Sequence, residues 1–228
     1  MSRPALLLLH GAIGSKVQLE PLASLLGDKY AVHSMNFSGH GGEPLPEQFS
    51  IAGFANDVLS YLEGNNLPRV NIFGYSMGGY VALYLARHYP LKVERVFTLA
   101  TKFDWSPASS ERESKMLDPV KIEDKLPGFA NTLCERHAPQ DWKQVLEKTA
   151  AMMMEMGKQP PLTPGELSQI KNPVIVSVGD RDKMVSMQET MEASSRIPNA
   201  HFLVLRDTLH PIEQTSPERL SKELFSFF

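Results

Sequence analysis

The chain has 228 residues, with 23 Lys and Arg against 26 Asp and Glu and a net charge of −3. No Lys/Arg-rich run supplies the electrostatic footprint of a nucleic-acid binder, and no apolar stretch approaches the ~20 residues of a membrane-spanning helix. The single cysteine, Cys134, has no internal disulfide partner, which fits a reducing compartment.

Apolar residues make up 42% of the chain, enough to bury a full core. The first element is Ala5–Leu9, a strand-length apolar run. It is too short for the apolar region of a signal peptide and no cleavage site follows, so a cytoplasmic location is expected. The turn His10-Gly11-Ala12-Ile13-Gly14-Ser15 comes next. A His-Gly turn after an early strand is suited to offering a backbone N–H to an oxyanion, and that N–H is assigned to Ala12. His10 itself is expected to shape its loop by bonding backbone carbonyls. A helix is expected over Val17–Leu26, a strand over Tyr30–Asn36 and a helix over Ile51–Asn65.

The strand expected at Arg69–Phe73 leads into Gly74-Tyr75-Ser76-Met77-Gly78-Gly79, and a helix is expected over Met77–His88. Strand, G-x-S-x-G turn and helix together describe a nucleophile elbow with Ser76 at its tip. Side chains two residues either side of the serine would collide with the neighbouring element, and Gly74 and Gly78 remove them. The N-terminal N–H groups of the helix, Met77 first, face a developing oxyanion.

A strand over Val93–Ala100 follows, and then the strand–helix alternation breaks between Lys102 and Glu166. Near Gln140–Met156, Trp142, Val145, Leu146, Thr149, Met153 and Met156 recur at helical spacing. This stretch, about residues 103–164, reads as a small helical cap within one domain spanning 1–228. Its run Met152-Met153-Met154-Glu155-Met156 either lines an acyl pocket or packs a short amphipathic helix.

The alternation resumes with a strand over Pro173–Val178, which delivers Gly179, Asp180, Arg181 and Asp182 at its end. A helix over Met187–Ile197, a strand over Ala200–Leu205 and a helix over Pro217–Phe228 complete the chain. Asp180, Asp182 and Asp104 are the candidate acids. His210 follows the last strand and is the one histidine of seven with the right chain order and sheet end to act as base. The order Ser…Asp…His differs from the trypsin-like and subtilisin-like orders. Alternating strands and helices give an α/β architecture with a mostly parallel six-stranded sheet and helices on both faces.

In these motifs taken together — LLLLHGAIGS, FSGHGGE, GYSMGGYVAL and the L-x-x-I-x-x-P-V-I-V-x-V-G-D-R-D segment — the chain resembles the α/β-hydrolase superfamily, near its small single-domain esterase, C–C hydrolase and lyase-like branch. The resemblance implies strand order 2-1-3-4-5-6 and, through its G-x-x-D pattern, points to Asp182 as the acid and Asp180 as a brace. It departs from many relatives at Asn36 and Ser38, where they carry Asp and Arg, and at Leu209, where they carry Gly. The implied activity is that of a carboxylesterase-like serine hydrolase (EC 3.1.1) acting on a small or medium acyl ester or thioester. Ser76, His210 and Asp182 would form the triad, and the Ala12 and Met77 N–H groups the oxyanion hole. A serine at the elbow argues against dehalogenase or epoxide hydrolase chemistry. No metal constellation and no cofactor is implied, the partner is a small-molecule carbonyl substrate, and oligomeric state is left open. A cofactor-free C–C hydrolase or lyase using the same triad as base would be favoured by a cluster of Arg or Lys pointing into the cap, for which Lys102, Arg112, Lys115 and Arg136 are the candidates. A non-catalytic binding member of the fold is the third reading.

Overall fold

The computed structural model describes residues 3–228. Six strands, β1 (Ala5–Leu9), β2 (Ala31–Ser34), β3 (Val70–Tyr75), β4 (Val93–Leu99), β5 (Val174–Gly179) and β6 (Ala200–Leu205), form one sheet in the order β2-β1-β3-β4-β5-β6. Every neighbouring pair is parallel. The fold is that of an α/β hydrolase, with helices on both faces.

Alternation along the strands sends residues to opposite sides. Leu7, Leu9, Ile72, Val96 and Val176 pack into a core shared with α2 (Ile51–Gly64), α3 (Met77–His88) and α9 (Met187–Arg196). Leu6, Leu8, Phe73 and Phe97 pack on the other face against α1 (Glu20–Leu26) and α10 (Pro217–Phe227). Both faces are covered, so the central strands read as continuous apolar runs. Leu6, Leu7, Leu8 and Leu9 are all fully buried, each contributing about 1.5–3 kcal/mol by burial.

Two boundaries differ from expectation for identifiable reasons. The helix expected from Val17 begins as a 3-10 turn over Lys16–Leu19, and the α-helical part starts only at Glu20, with Pro21 in its first turn. Proline there lacks an N–H and would clash with the carbonyl four residues back, so an α-helix cannot run through it. β2 stops at Ser34, and Asn36 lies in the following loop. There its Oδ1 accepts from the Lys16 N–H at 2.8 Å and its Nδ2 donates to the Gly41 carbonyl at 3.1 Å. Ser38 binds Asp57 through both its N–H (2.8 Å) and its hydroxyl (2.7 Å).

Between β4 and β5 lie α4 (Pro107–Lys115), α5 (Pro119–Lys125), α6 (Pro127–His137), α7 (Trp142–Lys158) and α8 (Pro164–Leu167). Four of the five open on proline, tolerated where no helical N–H is needed. Ser106, Asp118, Asp141 and Thr163 cap α4, α5, α7 and α8 with their side-chain oxygens. α4 packs closely on α7 at Gly157, where a Cβ would run into Ser110. No helix of the described residues is long and apolar enough to cross a membrane.

Candidate active site

β3 runs two residues further than the sequence indicates, so that Tyr75 is its last residue and Ser76 the hinge before α3. Ser76 has φ 51° and ψ −116°, in a region that costs a non-glycine residue ~1–3 kcal/mol. The surroundings hold it there. Its N–H donates to the Leu99 carbonyl at 2.8 Å, and its carbonyl accepts from the Gly79 N–H (3.0 Å) and the Thr101 hydroxyl (3.0 Å). A Cβ on Gly74 would lie 2.5 Å from the Gly78 carbonyl oxygen and the Gly79 backbone, and one on Gly78 would lie 2.5 Å from the Leu9 carbonyl oxygen. Both glycines are therefore steric requirements of the turn. Gly11 is a third: a Cβ there would meet the Tyr75 ring and, at 3.2 Å, the Ser76 Cβ.

The loops after β5 and β6 bring Asp182 and His210 together. His210 Nδ1 donates to Asp182 Oδ2 at 2.8 Å, and the Asp182 side chain is fully buried. The other oxygen, Asp182 Oδ1, accepts from the N–H groups of Met184 (2.8 Å) and Val185 (2.9 Å). Asp180 is exposed and, among the described residues, accepts only from the Thr208 N–H, at 3.3 Å. Asp104 is also exposed, on the loop after β4, and it is Asp182 that is hydrogen-bonded to His210 Nδ1. The Tyr75 hydroxyl donates to the His210 carbonyl at 2.9 Å, and the two rings lie 5.7 Å apart. Sequence reasoning missed Tyr75 and Thr101. A tyrosine inside the elbow and a threonine two residues past β4 carry no local signal of these contacts; the fold brings Tyr75 to His210 and Thr101 to Ser76.

Ser76, His210, Ala12 and Met77 all line one cavity. Met152, Met153 and Met156 of α7, with Trp105 and Tyr80, make much of its apolar wall. It offers about 60 Å³ to the centres of water-sized molecules, well above the roughly 10–15 Å³ that a single water requires. The N–H of Met77 is the first of α3 and has no intrahelical acceptor.

Two charged side chains share that wall. Lys102 and Glu113 line the cavity, with 11% and 6% of their side chains exposed. Lys102 Nζ stands 3.5 Å from Glu113 Oε1 and 3.9 Å from Glu189 Oε1. Of the other basic candidates, Arg112 is bound to Glu113, and Lys115 pairs with Glu111 at the surface. Arg136 donates to the Ile13 carbonyl and pairs with Glu213.

Beneath the turn after β1 sit three buried histidines. His10 Nδ1 donates to its neighbour's Gly11 carbonyl at 2.7 Å while Nε2 accepts from the Phe37 N–H at 3.2 Å, which fixes the neutral tautomer. His137 Nε2 donates to the Ile13 carbonyl and its Nδ1 accepts from the Gly41 N–H. His40 Nδ1 donates to the Ser38 carbonyl. Burial lowers the pKa of His10 and of His137 to about 4 and drives His40 well below its usual value. His10 thus has the structural position expected of it.

Known proteins bear on this arrangement. The family model described as alpha/beta hydrolase fold matches residues 4–132, more than half of the chain. A curated protein of Mycobacterium tuberculosis is 31% identical over 100 residues, covering 43% of this chain but only 29% of its own length. The 2-(acetamidomethylene)succinate hydrolase of Mesorhizobium japonicum is 20% identical, over 99% of this chain and 88% of its own. Among solved structures, the enol-lactonase of Burkholderia xenovorans LB400 superposes with a TM-score of 0.78 at 20% identity, covering 100% of this chain and 92% of that one. At that identity the likeness speaks for the fold alone.

Proposed function

The chain belongs to the alpha/beta-hydrolase fold family, and from that premise we propose that it is a serine hydrolase that cleaves a small or medium acyl ester or thioester. The observation that carries the proposal is the 2.8 Å bond from His210 Nδ1 to a fully buried Asp182, beside a cavity that His210 shares with the elbow serine. The hydrolase names of full-length relatives support the same class of reaction.

The chemistry follows from where the protons sit. Asp182 holds the imidazole proton on Nδ1, so the Nε2 lone pair is free to take the Ser76 proton as Ser76 Oγ attacks the substrate carbonyl. The tetrahedral oxyanion is received by the N–H groups of Met77 and Ala12, each worth roughly 3–4 kcal/mol in the transition state. His210 then returns its proton to the leaving group, and water attacks the acyl-enzyme by the same route. The helical segment from α4 to α8 serves as the cap, and its methionines bound the acyl pocket. The C–C hydrolase or lyase reading would be favoured by uncompensated cations facing an anionic substrate. Lys102, the basic candidate lining the cavity, has Glu113 and Glu189 beside it, which weighs against that reading.

A fluorophosphonate probe tests the proposal. The wild-type protein should be labelled at Ser76, and Ser76→Ala should lose both labelling and ester turnover, by about 10⁴-fold or more. An Ala variant that retained more than a small residual rate would remove Ser76 as nucleophile.

A further inference from the structure

Lys102 and Glu113 are an unusual pair to find in the wall of a methionine-lined acyl pocket. Each is almost wholly withdrawn from solvent, yet each borders the cavity. Neither has its hydrogen-bonding capacity filled by the protein. The two carboxylate oxygens nearest Lys102 Nζ are 3.5 and 3.9 Å away, beyond the ~2.7–2.9 Å of a charge-assisted hydrogen bond. Glu113 Oε1 receives Arg112, at 3.1 Å. Its second oxygen, Oε2, has no hydrogen-bond donor among the described residues. The pair therefore presents a donor and an acceptor side by side to whatever fills the cavity.

Glu189 is differently placed. Its Oε1 accepts from the Phe103 N–H at 3.0 Å and the Asp104 N–H at 3.3 Å, and its Oε2 accepts from the Ser186 N–H and hydroxyl. It has no capacity left for a ligand, but its charge remains. One ammonium thus faces two carboxylates, and the Arg112 guanidinium is mostly in solvent, where its field is screened.

Three kinds of acyl chain can be weighed against that wall. An aliphatic chain would expel water and leave both polar groups without partners, which is costly in a closed site. A carboxylate would satisfy Lys102 but would bring a third negative charge close to Glu113 and Glu189. A neutral amide fits both: its carbonyl accepts from Lys102 Nζ and its N–H donates to Glu113 Oε2. Resting on the hydrolase reading above, we propose that Lys102 and Glu113 select substrates whose acyl chain ends in a neutral carboxamide or urea group.

The test uses three ethyl esters of matched shape: ethyl succinamate, ethyl hydrogen succinate and ethyl 4-methylpentanoate. Acid release is followed in a pH-stat at neutral pH, and the readout is the ratio of kcat/KM values within each protein, so that a general loss of activity does not confuse it. Wild type should favour the succinamate over both others by at least about 10-fold, since a site built to hydrogen-bond a substrate group rejects analogues lacking it. Lys102→Met should collapse the preference over 4-methylpentanoate. Glu113→Gln removes one negative charge and should raise the hydrogen succinate relative to the succinamate by about 10-fold. If Lys102→Met fails to fold, the Glu113→Gln ratio decides. Fastest turnover of the hydrogen succinate by wild type would overturn the inference in favour of an anion receptor. Fastest turnover of 4-methylpentanoate, or ratios unmoved by both substitutions, would make the pair purely structural. Fluorophosphonate labelling of Ser76 separates the levels: labelling without the amide preference sinks this inference alone, whereas no labelling and no turnover of any ester sinks the hydrolase reading and this one with it.

Discussion

At the residue scale, the difference between two aspartates two positions apart is a difference in direction. Asp182 turns inward, gives one oxygen to His210 and the other to two backbone N–H groups. Asp180 stays in solvent and touches one N–H. Asp182→Asn would offer His210 an amide that cannot hold the imidazole in the tautomer with Nδ1 protonated and Nε2 free. We expect kcat to fall by about 10⁴-fold, and Asp180→Asn to cost less than about 10-fold, as measured by steady-state ester hydrolysis. Equal losses in the two variants would undo the assignment. The serine was legible in the sequence because its requirement is local: two glycines at fixed offsets between a strand and a helix. Asp182 stood out among the candidate acids only by resemblance, because a strand end does not encode which of the next side chains turns inward. Lys102 was one of four basic candidates; only the fold separates it from Arg112, Lys115 and Arg136, by putting it alone of the four on the cavity wall.

At the element scale, α7 shows what a run of methionines can do on a helix. Met152 and Met156 lie four residues apart on one face and are 5% and 4% exposed, and with Met153 they line the cavity. Met154 turns elsewhere and its sulfur receives the Ser114 hydroxyl at 3.4 Å. The two readings of this run, pocket wall and packed helix, are thus the same face of one helix. Met152→Ala should open the proposed acyl pocket at a stability cost of about 2–5 kcal/mol. Across p-nitrophenyl esters from acetate to octanoate, the wild type should favour the short and medium chains and the variant should shift its optimum to longer ones. An unchanged chain-length profile would mean that Met152 does not bound the acyl chain. The flanking strands and long helices were legible from periodicity because each buries a continuous face. The shorter helices α4 and α5 were not, since PASSERESK and PVKIEDK carry few apolar residues, and their signals are the caps and first-turn prolines instead.

At the scale of the whole molecule, the strand order was readable because right-handed crossovers and the family pattern leave few alternatives. What lies under the turn after β1 was not, because it joins three distant segments: His10 after β1, His40 after β2 and His137 at the end of α6. His10 and His40 rings stand 5.4 Å apart, and His40 and His137 rings 5.7 Å. The carbonyls of Gly11 and Ile13, on either side of Ala12, are held by His10 and His137. The cluster therefore ties the backbone of the proposed oxyanion donor to α6. It holds only while the rings are neutral, since His10 Nε2 and His137 Nδ1 are acceptors, and the Arg136 charge nearby opposes protonation further. In the unfolded chain these histidines titrate near 6.5, whereas folded His10 and His137 titrate at about 4. Between those values the unfolded state binds more protons, so stability rises with pH across the window. It is complete above about pH 7 and is lost as pH falls from 6.5 toward 4, on the order of 3 kcal/mol per histidine by pH 4. Urea midpoints measured from pH 7.5 to pH 5 should hold steady at first and then decline. His137→Gln, whose amide can both accept from Gly41 and donate to Ile13 without titrating, should make the decline shallower. A midpoint that stays flat to pH 5, or a variant with the same slope as wild type, would show that the cluster does not couple folding to protonation.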